Sequence, residues 1–117
     1  MTTSIIHFGW DHCYRIGVLR SIGFEVRESY ALAELESELG GASRYDAVLL
    51  SEDPDTDLAA ILSVVRGKTS APVVLFRRNW RDDIDEKQFD VVVGTLVKPV
   101  EWLRAIALAI EWSPCRV

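Results

Sequence analysis

Ser51 stands out among the groups able to do chemistry, because it follows directly on the apolar run Ala47-Val48-Leu49-Leu50 and precedes two carboxylates, Glu52 and Asp53. A hydroxyl becomes a useful nucleophile when a neighbouring base takes its proton. The sequence places no base beside Ser51, so the plainer expectation is a strand-end serine hydrogen-bonded to nearby backbone. Lys98 precedes Pro99 and brings an ammonium that, if partly buried, needs a carboxylate such as Asp53, Asp11 or Glu52. Arg77, Arg78 and Arg81 follow another apolar run. They suit an anion or, more commonly, surface ion pairs, here with Asp82, Asp83 or Asp85. The two cysteines, Cys13 and Cys115, lie far apart with no metal-ligand spacing and read as reduced thiols.

These groups share a setting, since most of them end an apolar run of strand length. Ser4 to Phe8 is the first such run, with His7 as its polar intruder. Tyr14, Val18, Leu19 and Ile22 recur at helical spacing, and Gly23 can close that helix in the left-handed conformation. Phe24 to Val26 reads as a second strand, near an edge because Glu25 and Arg27 mark it as partly exposed. Leu32, Leu35 and Leu39 line a second helix stopped by Gly40 and Gly41. Ala47 to Leu50 has no polar alternation, as expected of a strand covered on both faces. Asp57 can cap a third helix with Leu58, Ile61, Leu62 and Val65 turned inward. Val73 to Phe76 is a fourth strand and Trp80 to Gln88 a brief or irregular helix. Val91 to Val97 and Val100 to Trp112 complete the series as a fifth strand and a final helix.

Five such repeats predict an α/β fold: a doubly wound, parallel five-stranded sheet in a three-layer sandwich. Right-handed crossovers bring the carboxyl ends of all the strands to one edge. Sites in these folds lie at that edge, which gathers Gly9 to Asp11, Ser51 to Asp53, Arg77 with Arg78, and Lys98. Residues 1–117 read as one domain with its core at 4–112 and a short tail at 113–117. The net charge of -5 opposes a general nucleic-acid binder. No apolar run reaches the length of a membrane span and no signal-peptide pattern opens the chain, so a cytoplasmic protein without a membrane partner is expected.

The order and spacing of these strand ends resemble the receiver domain of bacterial two-component response regulators, from Ile5 to Ile110. Tyr45-Asp46-Ala47-Val48-Leu49-Leu50 is similar to the family's third strand, and Leu96-Val97-Lys98-Pro99 to the lysine-proline that closes the fifth. Gly23-Phe24 and Ala71-Pro72 fit the openings of the second and fourth. The resemblance implies the flavodoxin-like, CheY-like arrangement and a signalling role without enzymatic activity.

It also implies a dismantled site. Where the family has its phosphoacceptor aspartate, this chain has Ser51; where it has an acidic pair for Mg²⁺, this chain has Gly9 and Trp10. Arg77 replaces the Ser or Thr ending the fourth strand, Thr95 replaces the switch aromatic, and Lys98 alone of the polar set is kept. An acyl phosphate needs a carboxylate nucleophile and a cation to offset phosphate charge, so the resemblance implies a pseudo-receiver with no catalytic residues and no cofactor. The alternative is a phosphorelay receiver with Asp53 as a displaced acceptor and Asp11 and Asp53 as Mg²⁺ ligands. A flavodoxin-like enzyme or cofactor binder has less support, as no Gly-rich phosphate loop follows the first strand. Asp11, His12 and Gly17 miss a cobalamin pattern in spacing, and Cys13 lacks the small-residue loop of a phosphocysteine site.

The last helix carries apolar residues round most of its circumference. Leu103, Ala107 and Ile110, with Val100 and Ile106, can face the sheet, leaving Trp102, Ala105, Leu108, Ala109 and Trp112 outward. A helix in an outer layer cannot bury both faces on its own sheet. Those five residues therefore form a candidate interface, for a protein partner or a homodimer, in a family that pairs through its last strand and the helices beside it. The other reading lays both tryptophans over neighbouring side chains. No DNA-binding or catalytic output segment follows Trp112, so output is expected to come from a partner if the chain is the entire gene product, and from whatever was attached if it is an excised domain.

Overall fold

Strands form where the apolar runs are, and the computed structural model describes residues 2–11, 14–78, 83–94 and 97–111 of the chain. They are β1 (Ser4–Phe8), β2 (Glu25–Ser29), β3 (Ala47–Ser51), β4 (Val73–Phe76) and β5 (Val91–Val93). All pair in parallel in one sheet of order β2-β1-β3-β4-β5. Helices α1 (Arg15–Ser21), α2 (Leu32–Leu39), α3 (Leu58–Lys68) and α4 (Pro99–Glu111) connect and follow the strands, with a 3₁₀ turn at Glu86–Gln88. This is the expected (βα)₅ CheY-like arrangement, in which strand order reverses between β1 and β3. Among the described residues, no helix is long and apolar enough to cross a membrane.

Alternation along each strand divides the core into two layers. Ile6, Phe8, Val48, Leu50, Val73 and Leu75 face α2 and α3, meeting Leu35, Leu39, Ile61 and Val65. Ile5, Ala47, Leu49, Val74, Phe76 and Val93 face α1 and α4, meeting Ile16, Leu19, Trp102, Ile106 and Ile110. β3 is buried at every position, which explains why its sequence shows no alternation. Its register is pinned at the start, where Ser4 N donates to Asp46 Oδ2 at 2.9 Å and Asp46 N to the Ser4 carbonyl at 2.7 Å.

Several boundaries and faces depart from the sequence-based expectations. The second strand runs Glu25–Ser29 instead of ending at Val26, because parallel pairing with all of β1 carries it on to a buried Ser29. The fifth stops at Val93, since β4 offers it only the partners Val74, Leu75 and Phe76 before Gly94. The first helix does not bury Tyr14 and Ile22, which are exposed; it buries Arg15, Ile16 and Leu19. Gly23 does take a positive φ of 99° just past that helix. Asp57 caps α3 as expected, accepting from Ala60 N at 3.1 Å.

α4 is rotated relative to the expected facing. Trp102 is turned into the core, 4% exposed, and meets Phe76 edge-on at 5.9 Å between ring centroids. Trp102 is therefore no surface residue, because an aromatic at this position gains more from the sheet than Val100, which is exposed. Leu108 is exposed and Ala105 and Ala109 half-buried.

Candidate functional site

The carboxyl edge between β1 and β3 is organised by a residue the sequence-based reading did not single out. Arg15 opens α1, and its side chain lies back over the sheet, 4% exposed. Its Nη2 donates to Ser51 Oγ at 3.1 Å and to the Trp10 carbonyl at 3.3 Å, and lies 3.4 Å from His7 Nε2. The guanidinium carbon sits 4.0 Å from the centroid of the Phe76 ring. Ring face, hydroxyl, carbonyl and imidazole thus replace the water that a buried cation loses. Ser51, 1% exposed, is bonded to a side chain from α1 and not to nearby backbone as expected.

Because a guanidinium only donates, His7 Nε2 is the acceptor and the imidazole proton belongs on Nδ1. His7 is fully buried, and Nδ1 finds no acceptor among the described residues. Burial, and then the Arg15 charge, lower its pKa to about 4, so the ring is neutral at neutral pH.

Local backbone chemistry sets up this edge. Gly9 has φ 98° and donates its N–H to the Ser29 carbonyl at 3.0 Å. A Cβ at Gly9 would stand 3.2 Å from Ser51 Cβ and 3.5 Å from Asp53 Oδ2, so glycine admits both groups against the end of β1. Asp11 spends both carboxylate oxygens on the start of α1, accepting from Arg15 N at 2.6 Å and Ile16 N at 2.9 Å. That satisfies donors which a helix start otherwise leaves unpaired, and it fixes the backbone from which Arg15 reaches inward.

A second buried charge closes the β4 side. Glu52, fully buried just beyond β3, accepts from Arg77 Nε at 2.9 Å and from Arg78 N at 2.7 Å. Arg77 also bonds Glu86 at 2.6 Å. Arg77 thus serves a buried carboxylate of the neighbouring strand end, a partner that the sequence-based reading did not name for it. The sequence named Glu52 as a partner for Lys98; the structure gives it Arg77 instead.

The remaining candidates are separated from this centre. Lys98 is exposed at the turn into α4, and no carboxylate among the described residues pairs with it. Two of the partners expected for it, Asp11 and Glu52, hold α1 and Arg77 instead. Asp53 lies beside Gly9, and Trp10 projects outward, 67% exposed. Thr95 and Trp112, like His12, Cys13, Arg81 and Asp82, lie outside the described residues.

No family model matches the sequence, and no curated protein is significantly similar to it. Solved structures match nearly its whole length. A two-component response regulator from Clostridium difficile is 21% identical with a TM-score of 0.75, covering 94% of this chain and 96% of that one. The CheY-like response regulator receiver domain from Methylobacillus flagellatus is 16% identical with a TM-score of 0.73, covering 95% and 100%. The chain has the receiver-domain fold. An adenylate cyclase structure from Rhodopirellula baltica shares it too, at 13% identity and a TM-score of 0.76 over 95% and 89% of the two chains. Identities this low speak for the receiver fold alone. At the strand edge of this receiver fold, Ser51 lies under the guanidinium of Arg15.

Proposed function

We propose that this chain is a receiver-like signalling module that acts by binding protein, with no catalysis of its own and no aspartyl phosphorylation at its strand edge. The observation that carries this reading is the Arg15 guanidinium, which sits on Ser51, His7 and the Trp10 carbonyl. A fixed cation there takes the place a metal would need, and Mg²⁺ would meet repulsion and few ligands. Gly9 and Trp10 offer no side-chain oxygen, and both oxygens of Asp11 are engaged by α1 amides. The residues present do not suit Mg²⁺, which wants several oxygens in near-octahedral geometry.

Titration with Mg²⁺ and beryllofluoride, followed by amide NMR, tests this. The expected result is no saturable shift at Gly9, Ser51, Asp53 or Lys98. The competing reading, in which Asp53 accepts a phosphoryl group, draws on the closeness of its Oδ2 to Gly9. Saturable shifts at Asp11 and Asp53 would establish that reading and remove ours.

For the protein contact we propose the outward face of α4, where Leu108 and Val100 are exposed and Ala105 and Ala109 half-buried. A second copy of this chain is the proposed occupant, and Trp102 supports the face from within. Sedimentation of the full chain should show a dimer that Leu108→Asp dissociates; a monomer insensitive to that change would remove the homodimer.

A further inference from the structure

The opposite layer carries a feature that neither the strand edge nor α4 accounts for. An open groove of about 430 Å³ runs between the end of β1, the start of α2 and the loop that leads into α3. Trp10 and Tyr30 wall one side, 6.1 Å apart between ring centroids and inclined at 63°. Both rings are more than half exposed, at 67% and 53%, and Leu32 beside them is 37% exposed. The other wall is the Asp53–Asp57 loop, so three aspartates line the groove and, among the described residues, no lysine or arginine does.

Each ring is held in place from behind. The Trp10 carbonyl accepts from buried Arg15, which anchors the backbone while the indole points outward. The Tyr30 hydroxyl donates to Glu28 at 2.6 Å, and Tyr30 N donates to Glu34 at 3.1 Å. Across the groove, Thr56 N donates to the Asp53 carbonyl at 3.2 Å and Pro54 stiffens the loop. Anchoring of the Tyr30 ring and of the backbone that carries Trp10 lowers the ordering cost of binding.

We infer that this groove is a docking site for an arginine or lysine side chain carried by an extended segment of a partner protein. Charge complementarity selects that occupant. The face of an aromatic ring attracts a cation, and Asp53 and Asp55 supply opposite charge at the rim. An acidic segment would meet the like charge of Asp53, Asp55 and Asp57, and a purely apolar one would offer the aspartates no opposite charge. The groove shares Gly9, Trp10 and Asp53 with the strand edge and takes Tyr30, Leu32 and Asp55 from the α2/α3 side of the sheet. The Tyr30 and Asp55 amides therefore report on it separately from that edge and from the contact proposed at α4.

The probe is a blocked peptide, Ac-Gly-Arg-Gly-Arg-Gly-NH₂, titrated into the isotope-labelled full chain, with its glutamate counterpart as control. Saturable shifts of the Trp10 indole and of the Tyr30 and Asp55 amides are expected, with no response to the glutamate peptide. Trp10→Ala and Asp55→Asn should each weaken binding about ten-fold. Trp10→Phe should keep most of the affinity, because it retains a ring face. Both residues are exposed, so spectra unchanged elsewhere will show that the variants fold. Shifts that do not saturate, an equal response to the glutamate peptide, shifts centred elsewhere, or undiminished binding by Trp10→Ala would each overturn the assignment.

Discussion

Arg15 lies over the β1–β3 side of the sheet's carboxyl edge and contacts a ring face, a hydroxyl, an imidazole and a carbonyl. Arg77, at the end of β4, meets the carboxylates of Glu52 and Glu86. Both bring a cation out of water, but the consequences differ. Arg77 and Glu52 neutralise each other, so each depends on the other for its place in the interior. The hydroxyl, carbonyl, imidazole and ring face that touch Arg15 are dipoles and carry no formal charge of their own. Its field reaches them instead and adds to the burial that depresses the pKa of His7. The first arrangement is a structural rivet; the second sets the electrostatics of the edge.

Removing one partner at a time separates the two. Arg77→Met leaves the fully buried Glu52 without its guanidinium and should cost roughly 3–5 kcal/mol of stability. A second change, Glu52→Gln, should recover a large part of that loss. Urea unfolding measures both, and a cost below about 1 kcal/mol for the single variant would contradict the pairing's role.

Acid should act next most strongly, through His7. Its folded pKa of about 4 lies below the ordinary 6.5. Above pH 6.5 neither state binds the proton and the group contributes no pH dependence. Between there and about 4 the unfolded chain takes up a proton that the folded chain refuses, so stability falls as pH falls. The loss should total on the order of 3 kcal/mol by the lower limit. Unfolding measured across this range should show a shallower slope in His7→Gln; an unchanged slope would assign the effect to other groups.

Arg15→Met should be milder, costing about 1–2 kcal/mol, since Ser51, His7 and the Trp10 carbonyl are neutral and methionine retains contact with Phe76. It should also raise the His7 pKa, which imidazole NMR reads directly. A loss as large as that of Arg77→Met would show that the two arginines are not the different cases argued here. Leu108→Asp, on the exposed side of α4, should leave stability within about 0.5 kcal/mol and alter only self-association.

Much of the frame was legible in the sequence because it follows from local rules. β3 announced itself by unbroken apolarity, α3 by the Asp57 cap and the stop after α1 by Gly23. The receiver-like order of strand ends followed from their spacing. Arg15 was not legible, because its burial depends on groups from β1, β3 and β4 that are distant in sequence. A charged residue at a helix start is by default a solvated one. The misjudged stripe of α1 has the same origin: placing Tyr14 and Ile22 inward left Arg15 outside. α4, apolar nearly all round, held no internal evidence of its rotation, and only contact with Phe76 turns Trp102 inward. The burial of Glu52 was hidden in the acidic run Glu52 to Asp57, whose other members remain at least partly exposed, apart from the buried Leu58 that follows.

The Arg15 side chain has one more consequence, which concerns competition for the edge it fills. A solute binding between β1 and β3 must displace a group tethered to the same chain by a short backbone path. Such a tether holds its end at an effective concentration on the order of millimolar or more. The hold of Arg15 on the edge therefore gives way only to a solute that binds tightly enough to overcome that effective concentration. It yields to conditions that weaken the protein's own contacts, and acid, acting through His7, is the one the structure makes explicit.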